Sequence, residues 1–298
     1  MKFDTIVANP PFQDMVNRNT TPHKLWIDFT KKSFSDWLKD GGILIQVSPS
    51  SFASPSSKIL KLFKAKKTIW IDFTTKKYFN VGSTFAHYAI VNSPDDGTPT
   101  EIINEDVLQI NVDNYFLYIP SDICSTSLSI HNKVMFSTTD KQEVNHDYVT
   151  CHNITLGKTL SKERTDMFIY PTFHTNKQVW WTSLDQDCRT KSKVMWTRSG
   201  YTKPFFDEGY YGATDMAYWI YTDDGKGLAH NLNSKLMQYI FTTAKWSGFG
   251  NEIVFQSIPL LPTQACSDDE LYEFFRLDES EVKYVESMAK GSRRNAAA

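Results

Sequence analysis

At 298 residues the chain has room for about two domains of ~150 residues each. Its 41% apolar content supports ordinary buried cores, and a net charge of −2 excludes a wholly basic, sequence-indifferent nucleic-acid binder while leaving room for a locally basic cleft. No apolar run approaches the ~20 residues of a membrane span, and Met1-Lys2-Phe3-Asp4 enters a strand at once, so a cytoplasmic protein with no signal segment and no membrane contact is expected.

Phe3-Asp4-Thr5-Ile6-Val7-Ala8 reads as a short strand that Asn9-Pro10-Pro11 must end, because proline cannot donate to a ladder. Residues 22–38 carry a broad apolar face (Leu25, Trp26, Phe29, Phe34, Trp37, Leu38) and meet Asp40-Gly41-Gly42, which predicts a buried helix with a glycine stop. Ile43-Leu44-Ile45-Gln46-Val47 has the continuous character of a strand covered on both faces. A second helix is predicted from about Ser56 to Phe63, with Ile59, Leu60 and Phe63 inward, followed by strands at 68–73 and 85–91. This alternation predicts the second half of a doubly wound α/β sheet, and only half of one.

The breaker cluster Pro94-Asp95-Asp96-Gly97-Thr98-Pro99 marks a boundary, giving a first domain over 1–94. Residues 95–265 change character, with short strand-like runs at 194–197 and 216–221 and a helix at 232–241, and predict a mixed α+β domain. Ser267-Asp268-Asp269-Glu270 has capping-box spacing and opens a helix with Leu271, Phe274 and Phe275 inward. A further helix with Val282, Val285 and Met288 and a frayed tail complete a C-terminal segment over 266–298. The cysteines Cys124, Cys151, Cys188 and Cys266 are far apart with no C-x-x-C pair, so reduced structural thiols and no metal site are expected.

Asn9-Pro10-Pro11-Phe12 is a common kind of turn sequence, but its place directly after the first strand makes it the candidate loop for chemistry. Two prolines fix φ and remove two N–H donors, leaving stiff carbonyl acceptors. Asn9 adds a side-chain oxygen and Phe12 a flat apolar face. A flipped adenine needs those parts: acceptors for its N6 hydrogens and a ring to stack on. Hydrogen bonds from N6 to Asn9 and to the Pro10 carbonyl draw that nitrogen toward tetrahedral geometry and free its lone pair for in-line attack on an activated methyl group. Catalysis of this kind is positioning and preorganisation, and needs no cysteine nucleophile.

Phe3-Asp4-x-Ile6-Val7-x-Asn9-Pro10-Pro11-Phe12-Gln13 resembles motif IV of the adenine-N6 DNA methyltransferases of restriction–modification systems. Gly41 to Phe52 matches that family's Gly-Gly-Ile-Leu-x-x-x-x-Pro-Ser-x-Phe, and Phe79-x-Val81-x-x-Thr84 resembles motif VIII, whose aromatic residue helps clamp the flipped base. Asn233-Ser234-Lys235-Leu236 and Ile258-Pro259-Leu260-Leu261-Pro262 resemble the end of its target-recognition domain. The resemblance implies an incomplete Rossmann-like methyltransferase sheet (1–94) followed by an α+β target-recognition domain (95–265). It implies catalytic roles for Asn9, Pro10, Pro11 and Phe12, and base stacking by Phe12 and Phe79. It also implies S-adenosylmethionine as methyl donor and double-stranded DNA as substrate. The family's glycine-rich cofactor loop has no counterpart before Asn9, and Gly248-Phe249-Gly250 follows Lys245-Trp246 rather than a buried strand. The cofactor half is therefore expected from a second chain or a longer parent protein.

Two other readings stay open: an RNA or protein N-methyltransferase, and an inactive DNA-recognition remnant or specificity partner. Pro49-Ser50-Ser51-Phe52 is expected to shape the cleft wall, and His23 and His87 to serve packing or the surface. Lys158, Lys162, Arg164, Lys177, Arg189, Lys191, Lys193, Arg198 and Lys203 interleave with Trp180, Trp181, Trp196 and Tyr201. They form either a solvated charged face over core tryptophans or a phosphate-tracking groove, and the family role favours DNA.

Overall fold

The computed structural model describes residues 2–13, 24–55, 57–78, 84–112, 116–198, 202–246 and 252–295. The chain divides into two compact units, Met1–Leu128 and Ser129–Ala298. No described helix is long and apolar enough to cross a membrane.

The first unit is built on a six-stranded sheet of β1 (Phe3–Ala8), β2 (Leu38–Pro49), β3 (Lys66–Asp72), β4 (Phe85–Pro94), β5 (Thr100–Ile103) and β6 (Val107–Ile110), in the order β1-β2-β4-β3-β5-β6. β1 runs parallel to β2 and β3 parallel to β5, while β4 is antiparallel to both β2 and β3. Parallel neighbours need crossovers. Helix α1 (Leu25–Lys32), extended by a π-helical turn over Ser33–Trp37, links β1 to β2, and α2 (Lys58–Ala65) links β2 to β3. Ser57 caps α2, its hydroxyl accepting from the N–H groups of Ile59 and Leu60. Ile59, Leu60 and Phe63 of α2 are buried as expected.

The glycine pair does not stop a helix. The helical segment ends at Trp37, and Gly41, at φ +74°, lies in a bulge of β2 between the pairs Phe3–Leu38 and Thr5–Ile43. The division expected after Pro94 also moves. β5 pairs with β3 through Trp70–Glu101, Ile71–Ile102 and Asp72–Ile103, so Asp95–Pro99 is a turn and the sheet continues past it.

The second unit holds two four-stranded sheets. One orders β13 (Gly212–Ala213), β9 (Tyr170–Thr175), β10 (Gln178–Thr182) and β8 (Leu160–Ser161); the other orders β12 (Phe205–Asp207), β11 (Lys193–Thr197), β14 (Ala217–Tyr221) and β7 (Asn145–His146). The expected strands near 194 and 216 are β11 and β14, paired antiparallel. Phe173, Met195, Ala213, Ala217 and Trp219 share one core cluster drawn from both sheets. Trp196 and Tyr218 pack on Phe255.

Helix α3 (Ser125–His131) contains the point of division between the units, and α4 (Lys226–Leu232), α5 (Lys235–Thr243), α6 (Glu252–Gln256), α7 (Asp268–Phe274) and α8 (Glu279–Asn295) follow. Ser267 and Glu270 form the capping box. Leu271 and Phe275 are buried, whereas Phe274 is exposed because it falls on the other side of the helix end. The segment from 266 belongs to the second unit, tied to α5 where the Lys235 ammonium bridges Asp268 (3.2 Å) and Glu286 (2.7 Å). All four cysteines are free thiols, and burial pushes Cys151 up to about 11, which keeps it an inert thiol.

His131 is fully buried, its Nε2 2.8 Å from the Thr243 hydroxyl, and burial pushes its pKa down from 6.5 to about 3. The folded state therefore holds a neutral ring where the unfolded chain takes up a proton. This contribution is complete above pH 6.5 and declines as pH falls toward 3. His131→Gln should flatten the stability–pH slope between pH 6.5 and 5 by up to about 1.4 kcal/mol per unit. Urea unfolding at several pH values measures it; an unchanged slope would mean that the ring accepts its proton in place.

Candidate functional site

The register brings four elements to one end of the first sheet. Ala8 of β1 lies beside Gln46, Pro49 at the end of β2 faces Phe85, and Asp72 at the end of β3 faces His87. This is the carboxyl edge of β1, β2 and β3, where open α/β sheets hold ligands. Asn9-Pro10-Pro11-Phe12 leaves β1 at that edge. Asn9 and Pro11 are exposed, Pro10 is buried and Phe12 is half-buried. The loop is thus anchored at Pro10, with the Asn9 side chain open to solvent.

Phe12 stacks on Phe85, with ring centroids 5.1 Å apart and planes 29° apart. Phe85 opens β4 and is the aromatic partner that the structure places at this loop. Its sequence signal is an aromatic residue at the first position of the returning strand. Phe79, the expected second stacking residue, and His23 lie outside the described residues.

Beneath the loop is a buried polar network. Gln46 Nε2 donates to Thr30 Oγ1 (2.8 Å) and to Tyr88 Oη (3.0 Å), and Thr30 Oγ1 donates to the Trp26 carbonyl (2.7 Å). Gln46 Oε1 and Ser50 Oγ are buried without a hydrogen-bond partner among the described residues. Burial pushes Tyr88 up to about 12, so it stays a neutral phenol. A lone glutamine in an apolar strand was the available sequence signal, since buried amides are kept only where partners exist.

Phe52 is core, packed against Phe63 (4.9 Å), Tyr88 (5.3 Å) and Phe73 (5.9 Å), and so supports the wall from behind. His87 has local partners: its Nδ1 is 2.6 Å from Thr75 Oγ1 and its Nε2 3.6 Å from Asp72 Oδ2.

The described residues at this edge offer no glycine-rich turn of the kind that cradles S-adenosylmethionine. The turns after β1, β2 and β3 carry Pro, Ser and Thr, and no described glycine follows a parallel strand into a helix. Gly248-Phe249-Gly250 lies outside the described residues. Among the described residues no group of three or more His, Cys, Asp or Glu is placed to hold a metal.

The basic stretch of the second unit divides by environment. Lys158, Lys162, Arg164, Lys177 and Lys191 are exposed, and among the described residues none has a carboxylate at ion-pair distance. Lys162 lies over Trp180, Arg164 over Trp181 and Lys191 over Tyr221, at 5.3–5.6 Å from the ring centroids. Arg189 is held by both oxygens of Asp185 (2.6 and 3.1 Å), and Arg198 donates to the Asp215 carbonyl (3.3 Å).

Lys193 corrects the expectation. It is 0% exposed, and its ammonium sits 2.6 Å from the Asp207 carboxylate. A side chain so enclosed cannot reach phosphate. It begins β11, every residue of which is buried, and its charge is spent inside the fold.

No protein-family model and no curated protein matches the sequence. Among the solved structures that the chain resembles are two restriction-modification enzymes. The Type IIL restriction-modification enzyme MmeI in complex with DNA is 9% identical at a TM-score of 0.44, over 88% of this chain and 45% of that one. The ATP-dependent Type ISP restriction-modification enzyme LlaBIII bound to DNA is 10% identical at a TM-score of 0.39, over 96% of this chain and 28% of that one. The chain spans less than half the length of either.

Proposed function

We propose that this chain is the target-base and target-recognition part of an adenine-N6 DNA methyltransferase, working with a cofactor-binding half on another chain or elsewhere in a longer protein. The observation that carries the reading is Asn9-Pro10-Pro11-Phe12 at the carboxyl end of β1, with Phe12 stacked on Phe85. The exposed Asn9 amide and the Pro10 carbonyl accept the N6 hydrogens, and Phe12 offers its face to the extruded ring. The buried Gln46–Thr30–Tyr88 network holds the strands that present the loop, so that donor–acceptor geometry is fixed before substrate arrives. S-adenosylmethionine, held by that other half, would supply the methyl group. Among the described residues β2 is the only neighbour of β1, whose other edge is open, and Val7 is 76% exposed. An edge strand with an exposed apolar side chain is a template for further pairing, which supports a complementary half-sheet beside β1.

The isolated chain should bind S-adenosylmethionine weakly or not at all by calorimetric titration. Supplied with the complementary half, it should place labelled methyl on adenine N6 of duplex DNA. Tight stoichiometric binding by the chain alone would overturn the split reading. Methyl found only on RNA or protein would favour the other transferase class, and DNA binding without transfer the recognition remnant.

A further inference from the structure

We propose that a cleft in the second unit takes one nucleotide of a DNA strand, its base on an aromatic wall and its phosphate at a pair of lysines. The choice of a strand over a free nucleotide rests on the DNA reading above. The cleft encloses about 520 Å³, within the range of ~300–1,000 Å³ usual for small-ligand sites. Phe173, Val179, Phe205 and Tyr211 give it an apolar lining, and Lys177 and Lys203 are its charged members. Both lysines are exposed, and no acidic residue is among the described lining. Lys177 stands in the turn between β9 and β10, at Asn176-Lys177, and Lys203 precedes β12.

The aromatic wall is built in advance. Phe205 meets Phe173 edge-on at 5.0 Å, and Tyr211 meets Phe205 edge-on at 6.2 Å. The loop carrying Tyr211 is pinned from inside. The buried Asp207 carboxylate accepts the N–H groups of Tyr210 and Tyr211 while pairing with Lys193. Gly209 turns that loop at φ +102°, where a Cβ would come within 2.8 Å of the Thr190 carbonyl oxygen. An aromatic surface with two exposed cations and no carboxylate in its described lining suits a planar ring carrying an anion. Every base offers a face to such a wall, and lysine binds phosphate as a point charge. Lys158, Lys162, Arg164 and Lys191 are also exposed on this unit and are available as the further cations that a continuous strand requires and a free nucleotide does not.

The test uses the full chain with a labelled oligodeoxyadenylate, an abasic strand of the same length, a DNA duplex and free dAMP. The variants are the pair Lys177→Ala with Lys203→Ala, the single change Tyr211→Leu, and the control Lys283→Ala on α8. The double lysine variant should bind the oligodeoxyadenylate about tenfold more weakly and reduce the salt slope by about one to two, the control leaving both unchanged. Parental protein should prefer the intact strand to the abasic one by about fivefold or more, and Tyr211→Leu should erase that preference while keeping its circular dichroism. Parental affinity for the strand in the double lysine variant overturns the proposal, even if duplex binding persists and the DNA reading stands. So does dAMP binding as tight as strand binding, which would give the cleft to a free nucleotide. Failure of the parental chain to bind duplex or strand removes the DNA reading together with the cleft.

Discussion

Asn9→Ala is expected to slow single-turnover methylation by about 10²–10³, the usual effect of deleting one preorganised hydrogen-bond partner of the transition state. The measurement requires the completed enzyme, with the cofactor half supplied. The Asn9 side chain is exposed at the end of β1, and its removal leaves the buried Pro10 anchor in place. The loop should therefore keep its shape and DNA affinity should stay near the parental value. Phe12→Ala behaves differently. It removes the ring that stacks on Phe85 at 5.1 Å, a face worth about 1–3 kcal/mol per base on aromatic platforms. Capture of the extruded base and turnover should both fall. Parental rates in Asn9→Ala would reduce Asn9-Pro10-Pro11-Phe12 to a turn.

Lys193→Ala should destabilise the second unit by about 3–5 kcal/mol, the usual cost of stranding one partner of a buried ion pair. Asp207 would remain 4% exposed with its counter-ion gone. The matching change Lys191→Ala, at an exposed side chain two residues away, should stay within about 0.5 kcal/mol. Urea unfolding followed by tryptophan fluorescence separates them. Replacing the pair together, Lys193→Met with Asp207→Leu, should recover only part of the loss, because the N–H groups of Tyr210 and Tyr211 lose their acceptor. Equal stability of Lys193→Ala and Lys191→Ala would mean that the pair contributes nothing. Loss of DNA binding in Lys193→Ala would report on the fold, not on phosphate contact.

Why the first strands were legible and other features were not follows from the residues themselves. Prolines 10 and 11 end β1 in any context, and the continuous run from Ile43 to Val47 admits little besides a buried strand. β5 and β6 are four residues each, too short for a periodic signal to outweigh the breakers at 94–99; their pairing with the sheet is a long-range fact. Gly41 and Gly42 permit a bulge as readily as a helix stop, and only the register against Phe3 and Thr5 decides. The place of the candidate loop was readable because the prolines that end β1 act locally. Phe85 and Gln46, by contrast, acquire their partners from strands and helices far along the chain. Lys193 was misplaced because charge counts ignore burial. Its partner, Asp207, lies in the next strand of the sheet, and the all-buried run Val194-Met195-Trp196-Thr197 beside it was the warning.

The bare edge of β1 bears on how the chain behaves in a test tube. Among the described residues no strand pairs with the outer edge of β1, and such an edge next to an apolar, exposed Val7 is a template for another strand, including β1 of another molecule. The Asp4–Lys39 ion pair beside its first residues is the one described charge pair set against such self-association. Concentrated preparations of the chain alone are expected to aggregate edge to edge, which light scattering against protein concentration would measure. A charged residue at position 7 should improve solubility, and on the split-enzyme proposal it should also weaken assembly with the complementary half.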